Sequence, residues 1–137
     1  MCGIAGLFSK SGSIEEELGA HLSAMLSQLA DRGPDSAGVA LYRDPAPAGS
    51  CKVSLFSPED PGPWGALADE LGEAFGGDGE PDVRASHALF VVPAAPEDVQ
   101  GWLAERHPEL RLMSVGERIE IYKEALDPRD FVKRFAL

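Results

Sequence analysis

Two hydrophobic periods alternate along this chain, and their succession lays out its elements. Residues 2–8, CGIAGLF, form an apolar run of strand length that the polar turn SKSGS stops, and they read as a buried strand. Residues 13–33, SIEEELGAHLSAMLSQLADRG, carry the clearest helical signature. Leu18, Leu22, Met25, Leu26 and Leu29 fall on one face at helical spacing, Ser13 stands where an N-cap is expected, Glu15 to Glu17 fill the first turn, and Gly33 ends the run. A helix with such a stripe needs a sheet or a second helix to cover.

SAGVALYRD (36–44) and CKVSLFS (51–57) read as strands joined through PAPAG, and they are expected to pair as a hairpin with a longer loop. The Pro/Gly loop PEDPGPWG leads into a short helix over 66–75, ALADELGEAF, and GGDGEPD is a further loop. VRASHALFVVP (83–93) is predicted as one strand, and APEDVQGWLAERHP (95–108) as a helix opened near Pro96 and closed by Pro108. ELRLMSV (109–115) and RIEIYKE (118–124) are strands around a turn at Gly116. DPRDFVKRFAL then begins a helix with Asp127 as N-cap and Pro128 at its first position. Strands and helices intermix, with a hairpin among them, so the expected fold class is a layered α+β fold rather than a doubly wound parallel sheet.

Composition narrows the function. The 137 residues are about one domain, with 44% hydrophobic and 26% charged residues, as in ordinary globular chains. A net charge of -11 argues against a nucleic-acid partner, since phosphate binding rests on clustered Lys and Arg. The opening lacks the basic segment of a secretory leader, and no apolar run is long enough to span a bilayer. With two cysteines and no export signal, a disulfide framework is not expected, and the cytoplasm is the default compartment.

The candidate chemistry lies at the start. Once Met1 is removed, Cys2 carries both a thiol, with an ordinary pKa of about 8.5, and an α-amine of about 7.7 to 8, so one residue supplies nucleophile and proton acceptor. Gly3 removes side-chain bulk beside the thiol. Without further support, Cys2 reads better as a small residue in a terminal strand. The second motif, DRGPDSAG, forces a turn in which Arg32 and Asp35 bring opposite charges together, either as a simple ion pair or as part of a pocket.

Together, MCGIAGLF and RGPDSAG resemble the start of a class II glutamine amidotransferase domain, an N-terminal-nucleophile hydrolase, over residues 1 to about 42. LMSVGERIEIYKE is similar to the amidotransferase-like subunits of N-methylglutamate synthase and of glutamate-synthase-like systems. The resemblance implies a four-layer αββα sandwich, here as a single partial domain over 1–137. It implies glutamine as substrate, Cys2 as catalytic residue, Arg32, Gly33 and Asp35 as pocket support, and a synthase partner that receives ammonia. No iron-sulfur, flavin or nucleotide site is read from these residues, so no metal and no cofactor is expected on this chain.

The sequence also departs from the family. Asp31 stands where the family's turn has His, and these residues contain no Asn and no Thr. The family's Asn-Gly oxyanion pair and its Gly-His-Thr-Arg stretch, whose Arg holds the substrate carboxylate, therefore have no match here; the family also needs a downstream acidic residue for the substrate amine. A missing oxyanion donor costs roughly a hundred- to thousandfold in turnover. The chain is accordingly expected to be inactive alone, with the remainder supplied by another polypeptide, cut away or lost. The alternative is a non-catalytic interaction or regulatory module that keeps the fold.

Cys51 reads as a buried thiol. His21, His87 and His107 lack close metal-ligand spacing and read as packing or solvent-facing residues.

Overall fold

CKVSLF is buried on both faces, and a strand so placed must have neighbours on both edges. The computed structural model describes residues 2–77 and 79–137. Met1, on whose removal the nucleophile argument depends, lies outside them, as does Asp78 of the loop GGDGEPD. The described chain is mixed α+β and divides into two compact units. One is Val39–Tyr122, and the other comprises the residues up to Gly38 together with Lys123–Leu137.

In order, the elements are α1 (Leu18–Leu29), β1 (Ala37–Tyr42), β2 (Cys51–Phe56), α2 (Trp64–Phe75), β3 (Asp82–Arg84), β4 (His87–Val92), α3 (Pro96–Arg106), β5 (Arg111–Gly116), β6 (Ile119–Glu124) and α4 (Pro128–Phe135). A four-stranded sheet runs β3-β4-β2-β5, with β2 antiparallel to β4 and to β5. Cys51, Val53 and Leu55 stand opposite Val92, Phe90 and Ala88 and share one face. Trp64, Leu67 and Leu71 of α2 and Val99 and Leu103 of α3 complete this core. The spacings i, i+3, i+7 and i, i+4 put each set on the covered side of its helix.

The expected hairpin of β1 and β2 does not form. Both edges of β2 are taken by β4 and β5, and β1 pairs instead with β6 in a separate two-stranded sheet. The single strand predicted over 83–93 is a hairpin, because the chain reverses between β3 and β4 with Ala85 at φ +52°. No Gly, Asn or Asp marks that turn, so local pattern carries no signal for it.

In the other unit α1 packs against α4. The α-helix begins at Leu18, after a 3-10 turn at Gly12–Ile14, and Ser13 does not cap it. The Leu/Met stripe is half-buried. α4 follows its signals: the Asp127 side chain accepts from the Arg129 N–H at 2.8 Å, Pro128 opens the helix, and Phe131 and Phe135 are buried with stacked rings 4.3 Å apart. Ser23 donates to the Leu137 carbonyl at 3.1 Å.

Residues 2–8 are neither a strand nor buried: Ile4 is 96% and Phe8 83% exposed. An apolar run can specify a strand only where another strand receives it, and no neighbour among the described residues pairs with this one.

Candidate active site

The first motif packs against the end of α1 from which the second continues. Cys2 is a free, exposed thiol. Gly3 lies so close to Leu29, the last residue of α1, that a Cβ built on it would sit 2.8 Å from Leu29 Cδ2. The bulk that Gly3 omits is thus filled by Leu29. From Leu29 the chain continues as a 3-10 turn, Ala30–Arg32, anchored by the buried Ala30. The Gly33 N–H donates to the Leu29 and Ala30 carbonyls at 3.2 and 3.3 Å.

Arg32 and Asp35 are exposed, and no hydrogen bond or ion pair joins them among the described residues. The charge that does tie down the turn is Asp31, which accepts from Arg129 Nη2 of α4 at 3.2 Å. Asp31, at the position where the resembling family has His, therefore acts here as a surface anchor between turn and helix. Of the candidate site residues, Cys2, Arg32 and Asp35 are open to solvent and Gly33 is half-buried.

The Val39–Tyr122 unit holds a polar cluster that the sequence did not flag. Glu120 of β6 is 3% exposed and accepts from Lys52 Nζ of β2 at 2.7 Å, with Arg43 Nε at 3.9 Å. In the same unit His87, fully buried, lies between the Phe56 and Tyr122 rings at centroid distances of 5.3 and 5.7 Å. Arg111 covers Phe56 and Arg84 covers Tyr122, and Arg84 also donates twice to Asp82 at 3.0 Å. Burial, reinforced by the Glu120 charge, pushes the Tyr122 hydroxyl up to about 12, so it stays protonated at neutral pH.

Among the described residues no group of three or more His, Cys, Asp and Glu could hold a metal ion, and no helix is long and apolar enough to cross a membrane.

The chain is similar to the glutamine amidotransferase-like protein GlxB of Rhizobium meliloti, with 43% identity over 136 residues, 98% of this chain. A protein of Methanothermobacter thermautotrophicus, provisionally named a glutamine amidotransferase, is 52% identical over 42 residues, 31% of this chain. These relatives support a glutamine amidotransferase-like family. The chain spans 44% of the Rhizobium protein and 13% of the Methanothermobacter protein. No model of a protein family and no solved structure matches it.

An amidotransferase-like reading draws attention to the thiols, which sit in opposite environments. Cys51 is buried, and burial, with the Glu97 charge adding to it, raises its pKa above the ordinary thiol value. Iodoacetamide at pH 8 is therefore expected to modify Cys2 in the folded chain and to reach Cys51 only after denaturant is added. Peptide mass spectrometry reads both sites, and equal modification without denaturant would contradict the buried placement of β2.

Proposed function

We propose that residues 1–137 are the front portion of a class II glutamine amidotransferase domain, a four-layer αββα sandwich of the N-terminal-nucleophile type that releases ammonia from glutamine for a synthase partner. The observation that carries this reading is that 98% of this chain matches part of a protein named glutamine amidotransferase-like, in a chain whose second residue is an exposed free cysteine. In this reading the Cys2 α-amine takes the thiol proton, and Sγ attacks the side-chain amide carbon of glutamine. The C–N bond breaks, ammonia leaves with that proton, and water hydrolyses the γ-glutamyl thioester to glutamate and free thiol. Arg32, Gly33 and Asp35 shape the pocket from the turn.

The oxyanion donor and the cation for the substrate carboxylate come, in this proposal, from residues outside these 137, which have no Asn or Thr to offer. That same lack favours a second reading, a non-catalytic module that keeps the family's fold. A diazo-ketone analogue of glutamine separates the two. Incubated with the chain and the polypeptide that completes its domain, it is expected to add to Cys2, with Met1 absent from the labelled peptide by mass spectrometry and with glutamine protecting. A processed Cys2 that stays unlabelled would overturn the hydrolase reading and favour the module.

A further inference from the structure

His107 follows the last turn of α3 and plays no part in the amidotransferase reading. Its side chain is 15% exposed, and both ring nitrogens face carboxylates at once. Nε2 lies 3.0 Å from Glu70 Oε2 on α2, and Nδ1 lies 3.0 Å from Glu109 Oε1 in the turn leading to β5. A neutral imidazole has one N–H and a lone pair on its other nitrogen, so it can donate to one of these carboxylates and repels the other. The imidazolium donates to both.

His107 also lines a groove. Leu55, Leu103, Leu110, Leu112, His107 and Pro108 help line a cavity of about 310 Å³ between α3 and β5. The His107 backbone joins its walls, donating to the Leu103 carbonyl at 2.8 Å and accepting from the Leu110 N–H at 3.0 Å. Glu70 from α2 and Glu109 from the turn are the charged groups that act on the ring among the described residues, and the Trp102 ring from α3 lies 5.5 Å away by centroids.

We propose that His107 is a proton-operated latch: as imidazolium it ties α2 to the α3–β5 turn that lines the groove, and as neutral imidazole it releases one carboxylate and lets that turn open. Burial lowers the ring's pKa, and the two carboxylates more than offset this, leaving it above the ordinary 6.5. A raised folded value means that the latch's contribution is fully present below the unfolded value and is lost as pH rises through the folded one.

The test is an NMR titration of the imidazole nitrogens in the folded chain, run beside amide exchange of Leu110. The His107 midpoint is expected above 6.5, and Glu70→Gln and Glu109→Gln are each expected to lower it. As pH passes the midpoint, Leu110 exchange is expected to gain about tenfold beyond the intrinsic base-catalysed rise, matching the loss of one charge-assisted hydrogen bond. In His107→Gln that extra gain is expected to vanish. A wild-type midpoint at or below 6.5 overturns the proposal, and so does Leu110 exchange that follows intrinsic chemistry throughout. Both are read on the unmutated protein, so the result does not depend on a variant folding.

Discussion

Replacing Cys2 by alanine is expected to lower glutamine-dependent ammonia release from the completed domain by about 10⁴-fold or more, while leaving the fold intact. The size follows from the role proposed for the thiol. A covalent route that loses its nucleophile keeps only what binding and oxyanion stabilisation provide. The intact fold follows from position: Cys2 is exposed, and changes at such sites usually stay within about 0.5 kcal/mol of neutral. Loss of activity with unchanged circular dichroism and unchanged denaturant midpoint therefore reports chemistry rather than unfolding. Cys51→Ala is the control, since Cys51 lies in the core of β2 and has no part in the proposed reaction. Supplying ammonia directly should restore product formation by the partner, because the variant lacks only the means to make it. A Cys2→Ala protein that still splits glutamine at the wild-type rate removes the nucleophile from the proposal altogether.

What the sequence revealed and what it hid divide along the range of the interactions. The interiors of α2 and α3 and the cap of α4 were legible because each depends on residues within a turn or two, as the Asp127 side chain bonding the Arg129 N–H illustrates. The partner of β1 was not legible. Alternation identifies a strand and its buried face, but the choice of β6 over the adjacent β2 was decided by β4 and β5 occupying both β2 edges. Residues 2–8 failed for a related reason: their apolar composition states a need for burial without naming what supplies it, and Ile4 and Phe8 lie in solvent.

The candidate site follows the same division. Cys2 and the Arg32–Asp35 turn were visible because each is a contiguous motif, and the approach of Gly3 to Leu29 brings them near one another. Lys52 and Glu120 are 68 residues apart and Glu70 and His107 are 37 apart, so neither pairing could be read from local pattern.

The Lys52–Glu120 pair should carry the largest single effect on stability in the Val39–Tyr122 unit. Lys52→Met is expected to cost about 3 to 5 kcal/mol, because it strands the Glu120 carboxylate, 3% exposed, without the ammonium that sits 2.7 Å away. Arg43, at 3.9 Å and half-exposed, can move toward the orphaned charge and should hold the loss near the lower end of that range. The double variant Lys52→Met, Glu120→Leu removes both charges from a site walled by β2 and β6, and it should recover most of the loss or exceed the wild type. A double-mutant cycle by urea denaturation isolates the coupling. If Lys52→Met alone falls within about 0.5 kcal/mol of the wild type, Glu120 is solvated in solution and the packing of β6 against β2 differs from that described.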